Sequence, residues 1–382
     1  MHTKGRHHFN HNVRGGLTFA LLASACCLAL AARAATYYYY WQPVDGEWSG
    51  DWTDAAHWRT DDPSGTYPKT ASHWASFIDC TLDHPVEVSL GDGTITSKIR
   101  WFGTNASEVA FIGNGAASTT LNANSLSAAS SSDPIPSNSK VEFRDMKLMR
   151  PSWTIVKQVA GVTNVTIRFD GVVETEAKFL QLSAPFSRLE FVDSTIQTER
   201  LKVGGTNTVM LVDNSYVSGT DFYVNCDAIS SGSNVQWSGN LQIVFAGKSP
   251  SMTYSGSAPY NFAKAKTVRM IFRVPVGGYA TVPFTHTKTT EAFLKSGSDK
   301  WCSFEMAEDS PAILKGSALR NHVLIQTAAG FSSSYVKDFS PPGKATLSWG
   351  VDGEPLADGA DLTTARQLLL NLPGSHTIFM VL

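Results

Sequence analysis

The chain has 382 residues, a formal net charge of −2 and 17% charged side chains. Soluble proteins average about 25% charged, so Ser, Thr, Asn and Gly carry much of this surface. No basic excess exists to hold nucleic acid or anionic lipid.

Residues 1–34 read as an export signal. Lys4, Arg6 and Arg14 form a basic start, an apolar run follows from Leu17 to Ala32, and Ala32-Arg33-Ala34 offers small residues for cleavage. The run is about 16 residues, short of the ~20 that a membrane-spanning helix needs. An uncleaved anchor is the alternative. Lipidation at Cys26 is disfavoured, because apolar residues continue beyond it to Ala32. Removing this leader takes away Lys4, Arg6, Arg14 and Arg33 and leaves a more acidic chain without a membrane span. The expected location is secreted or on a bacterial cell surface. The remaining cysteines, Cys80, Cys226 and Cys302, are odd in number and widely spaced. A disulfide framework and Cys-x-x-Cys zinc or redox sites are thereby excluded, while one bridge stays open.

Residues 35–115 form an aromatic-rich N-terminal cap with the first strands. Tyr37 to Trp41, Trp48, Trp52 and Trp58 alternate with turn formers such as Gly46, Gly50, Asp51 and Asp54. Residues 116–139, rich in Ser and Ala, read as a long loop with room for one short strand. Residues 140–263 carry a repeat. Val141 to Asp145, Val165 to Asp170, Leu189 to Asp193 and Val209 to Asp213 are short alternating segments ending in an acidic residue, with a looser copy from Val235. Their starts lie 24, 24, 20 and 26 residues apart. Repeats of this length stack into solenoids, since one unit cannot bury its apolar face alone.

Alternation assigns the faces. Val141, Phe143, Val165, Ile167, Leu189, Phe191, Val209 and Leu211 are expected inside. Glu142, Arg144, Thr166, Arg168 and Glu190 are expected outside. A β-sandwich is the competing architecture. Residues 264–382 read as a β-rich continuation or cap, with a short helix at Asp361 to Leu370 behind Asp361 as its N-cap.

The run Gly46-Glu-Trp48-Ser-Gly-Asp51-Trp52-Thr-Asp54-Ala-Ala-His57-Trp58 is similar to the opening of many large secreted bacterial proteins. The later repeats resemble the autotransporter-associated β-strand repeat. The resemblance implies an all-β, right-handed parallel β-helix of the passenger type, adhesive or structural in role. The chain departs from the pattern at His57, where Asn is usual, and no translocator barrel is expected after Leu382.

No signature of catalysis, phosphate binding or an EF-hand occurs, and no cofactor or metal is expected. His57, His73, His84, His286, His322 and His376 are scattered without partner motifs. Three constellations remain. Glu142, Arg144, Arg168 and Glu190 form an outward row that is either a lyase-like site or a charge ladder. Asp145, Asp170, Asp193 and Asp213 either hold calcium or cap turns. Trp41, Trp48, Trp52 and Trp58 either stack on sugars or close the cap. The leading expectation is a non-enzymatic exported solenoid contacting extracellular polysaccharide or cell-surface components. A polysaccharide lyase or glycoside hydrolase of pectate-lyase-like shape, and a non-catalytic carbohydrate-binding module, are the alternatives.

Overall fold

The computed structural model describes residues 36–372, apart from 101–104, 127–128, 131–132, 150–161, 183, 226–239, 255–259, 265–266, 276, 283–300, 308–318, 327–345 and 362–363. The leader, Cys226 and the repeat beginning at Val235 lie outside the described residues. The described chain is all-β, and its strands alternate between a 16-stranded and a 10-stranded sheet. Within each sheet, successive strands pair in parallel: Lys140–Arg144 with Thr166–Asp170, then Arg188–Val192, then Thr208–Asp213. Such long parallel sheets are compatible with a β-solenoid. Antiparallel pairing occurs at the two ends of the larger sheet. Trp58–Thr60 covers Tyr37–Trp41 at one end, and Leu319–Gln326, Gln367–Leu372 and Thr346–Val351 pair at the other.

Register makes the core. In the smaller sheet, Val109, Val141, Ile167, Leu189 and Met210 stand in one buried column. Phe111, Phe143, Phe169 and Phe191 form the next, with near-parallel rings at centroid spacings of 5.4, 5.6 and 5.6 Å. Val212 follows, then Phe245 and Phe272 at 5.5 Å. Offset ring pairs at such spacings add about 1 kcal/mol each beyond burial. In the larger sheet, Ile95, Leu121, Leu148, Glu174, Ile196, Val217 and Met252 share one inward column. Glu174 is the exception to its aliphatic character, and its strand slips register between Glu174 and Ala177.

The structure corrects the sequence reading at several points. Met210 and Val212 face inward, whereas Val209 and Leu211 face outward. Every residue from Val209 to Val212 is apolar, so alternation there could not fix the phase. Val165 is buried, but Ile167 is the register partner of Val141. The Ser- and Ala-rich span expected as a loop supplies the strand Thr119–Leu126, with Leu121 and Ala123 inside. In place of the expected helix, Gln367–Leu372 is a strand. Parallel pairing extends beyond both ends of the repeat, from Tyr37–Trp41 with His73–Ser76 to Ala280–Thr281 with Leu319–Gln326. Cys80 is a free, buried thiol whose pKa burial pushes up to about 12.

Two corner columns hold the rungs in phase. Asp145, Gly171, Asp193, Asn214 and Gly247 all take left-handed φ. The amides of Asp145, Gly171, Asp193 and Asn214 each donate to a carbonyl of the next rung, at 2.8–3.0 Å. At the other corner stand Asn138, Asn164, Phe186 and Asn207, also with positive φ. Asn164 Nδ2 donates to Asn138 Oδ1 at 2.8 Å, and Asn240 Nδ2 to Asn207 Oδ1 at 3.3 Å. Inward serines complete the corners: the Val172 amide donates to Ser194 Oγ, and the Ser194 amide to Ser215 Oγ. Phe186 is the misfit of its column. It is 52% exposed and pays the left-handed strain of an L-residue without a compensating side-chain bond. Phe186→Asn should therefore raise unfolding stability by about 1 kcal/mol, read as a higher urea midpoint; a lower midpoint contradicts the assignment.

The N-terminal cap is built on a buried polar cluster. Tyr39 Oη donates to Asp62 Oδ2 at 2.7 Å, which holds the Asp62 carboxyl below its usual range. His73 stacks on Tyr39 at 4.9 Å, accepts the Lys69 amide at Nδ1, and lies 4.0 Å from Asp62. Burial holds the His73 imidazole below its ordinary value, against the opposing pull of Asp62. The unfolded chain therefore takes up this proton at a higher pH than the folded one. Stability is complete at neutral pH and declines as pH falls through about 6.5. The urea midpoint should drop between about pH 7.5 and about pH 5.5, and drop less in His73→Gln. An equal drop in both proteins would exclude His73 as the cause.

Candidate functional site

The expected outward row exists. Glu142, Arg168 and Glu190 occupy one register position on three successive strands of the smaller sheet. Arg144 pairs in register with Asp170, and Lys140 with Glu108. Alternation puts all of these on the outer face, one strand spacing of about 4.8 Å apart.

Glu142 and Glu190 are each shared between cations. Glu142 meets Arg144 Nη2 at 3.1 Å and Arg168 Nε at 3.5 Å through Oε1, and Lys140 Nζ at 3.5 Å through Oε2. Arg168 also reaches Asp170 at 2.7 Å and Glu190 at 3.3 Å. Arg188 closes the row on Glu190 at 2.6 Å. The covering side chains leave Glu142 6% and Glu190 8% exposed although both face outward. The Glu142 hydrogen bond holds the Arg144 guanidinium above its ordinary value. Burial pulls Arg168 down, and Asp170, Glu190 and Glu142 more than reverse it. A lyase base must give up a proton, and every neighbour of Arg168 makes that harder.

Beyond Glu190 the same register column turns aliphatic. Leu211, Val244 and Ile271 continue it. The ion pairs of this row run from Glu87, 3.8 Å from Arg144, to Glu190.

The four aspartates do not form one set. Asp145 and Asp193 sit in the left-handed corner column, which Gly171 and Asn214 continue. Asp170 and Asp213 stand one residue earlier, in the outward row of Arg144. Asp193 Oδ1 accepts from Asn214 Nδ2 at 2.6 Å, a turn-capping bond. Burial, then Asp193 and Asp170, raise the Asp213 carboxyl, against Arg168. Among the described residues, no three His, Cys, Asp or Glu side chains converge as a metal site.

The tryptophans divide likewise. Trp41, Trp52 and Trp58 are buried, and their indole N–H groups donate to the carbonyls of Trp48, Pro68 and Trp52. Trp58 packs edge-on against Trp41 at 4.9 Å and Trp52 at 5.0 Å. His57 stacks on Trp41 at 4.6 Å, and only Gly50 leaves room for its ring. These rings close the cap, so the expectation of stacking faces fails for all three. Trp48 stays partly exposed and stacks on His84 at 5.9 Å.

Tyr216 and Tyr279 are exposed farther along the chain, and in the cap Tyr38, Tyr40 and Trp74 reach the outer face. The sequence signal was available: in a run of four tyrosines on one strand, alternate rings must point away from the core. No protein-family description, curated protein or solved structure matches the chain.

Arg168→Ala removes one cation from each of Glu142 and Glu190, two carboxylates that are nine-tenths buried. It should cost about 2 kcal/mol, between the values for an exposed and a buried pair, measured by urea unfolding. A change within error would show that the row contributes nothing to stability.

Proposed function

We propose that this chain is an exported, non-catalytic scaffold, a right-handed parallel β-helix that serves a structural or adhesive role at or outside the bacterial cell surface. One observation carries the reading: the row with the composition of an acid–base site is saturated by its own ion pairs. Glu142 and Glu190 each contact at least two cations, and Arg168 spans three carboxylates. Such a row keeps a flat sheet face soluble and in register. The leader at residues 1–34 supports export, and the weakly charged surface suits an extracellular setting.

The test is to express the full chain with its leader and follow both fate and activity. The expected result is recovery of a leader-less protein outside the cytoplasm. The purified protein should leave polygalacturonate and alginate uncut, with or without calcium. Cytoplasmic retention contradicts the export reading. Polysaccharide cleavage that Arg168→Ala abolishes contradicts the non-catalytic reading and restores the lyase.

A further inference from the structure

The outer faces of the two sheets differ in chemistry. The smaller sheet carries a row of ion pairs, and its central outward column then turns aliphatic. The larger sheet carries many hydroxyls and amides, as at Thr94, Thr96, Thr120, Thr195, Gln197 and Ser218, all at least partly exposed, with Lys147, Met149, Val173 and Tyr216 among them. At its N-terminal end stand three near-parallel rings. Tyr38 lies 6.5 Å from Tyr40 at an interplanar angle of 22°, and 6.5 Å from Trp74 at 17°.

These rings are held before any ligand arrives. Tyr38 and Trp74 are register partners on adjacent strands, so backbone pairing sets their spacing. Lys98, the next register partner, places Nζ 5.0 Å over the Trp74 ring. Arg59, paired with Tyr40, places its guanidinium 5.2 Å over that ring. Fixed rings lose little freedom on binding.

The geometry points to this face as the binding surface for a neutral polysaccharide, whose chain lies along the stacked strands and is anchored at Tyr38, Tyr40 and Trp74. A sugar ring offers an apolar C–H face and a rim of hydroxyls. Fixed aromatic rings match the first, and neutral hydroxyl and amide side chains match the second. An anionic chain would seek unpaired cations, and those beside the rings are already engaged: Arg59 pairs with Asp79 at 3.3 Å and Lys98 lies over Trp74. A protein partner would need an apolar centre, whereas Met149, Val173 and Tyr216 are scattered singly among polar residues along this face. The inference rests on the exported reading only in placing the face where polysaccharide occurs.

The test is co-sedimentation of the purified chain with insoluble cellulose, chitin and xylan, and with a calcium-gelled polygalacturonate. Retention is expected on at least one of the three neutral polymers, insensitive to salt. Trp74→Ala and Tyr38→Ala should weaken it at least about fivefold, and Arg168→Ala on the opposite face should leave it unchanged. Should Trp74→Ala fail to fold, Tyr40→Ser on the same strip reports instead. No retention on any neutral polymer, retention only on polygalacturonate, or equal loss in Arg168→Ala would overturn the inference. A protein that is exported and inert but binds none of them leaves the scaffold reading standing.

Discussion

Each strand in this fold can bury its apolar side chains only against the strand before it and the strand after it. The inward residue at every register position must therefore suit two neighbours in its own column as well as the facing sheet. The phenylalanine column shows the consequence. Phe111, Phe143, Phe169 and Phe191 repeat with nearly constant spacing, because a stacked ring is itself the template for the next. The column tolerates Val212 and resumes at Phe245 and Phe272. Glu174 is the sharper departure, a carboxylate in register with Leu148 and Ile196. The register slip beside it marks where strict stacking gives way; we have no physical account of why an acid occupies that position.

Corner chemistry transmits this constraint to the surface. A left-handed residue ends five successive strands of the smaller sheet, at Asp145, Gly171, Asp193, Asn214 and Gly247, and the first four of these amides bond the next rung. Once the corners are in phase, the outward residues are in phase too. Glu142, Arg168 and Glu190 then meet without further adjustment, and so do Tyr38 and Trp74 on the other sheet. The charge row and the aromatic strip are both products of register, one on each sheet.

Much of this was legible in the residues. Alternation and spacing identified the repeated strands, and Glu142, Arg144, Arg168 and Glu190 were placed on one face. Phase was lost where alternation carried no information. Between Val209 and Val212 both faces are apolar, and the acidic residue used as a marker misled. The constant feature is a side chain that tolerates positive φ: Asp145, Gly171, Asp193 and Asn214. Aligning on that property would have put Met210 inside. Small inward residues hid the strand Thr119–Leu126, because Ala123 and Thr119 resemble loop composition. Burial of Trp41, Trp52 and Trp58 depends on contacts between segments distant in sequence, which local pattern cannot supply. The outward placement of Tyr38 and Tyr40 needed only the pleat of one strand.

The account stands or falls on contact between side chains of adjacent strands in the interior, and a double-mutant cycle measures that contact directly. Unfolding free energies for Phe143→Ala, Phe169→Ala and the double variant should show a coupling of about 1 kcal/mol. The cycle built from Phe143→Ala and Phe245→Ala, several strands apart in the same column, should show none within about 0.4 kcal/mol. Additivity in the adjacent pair, or equal coupling in both pairs, would contradict the stack.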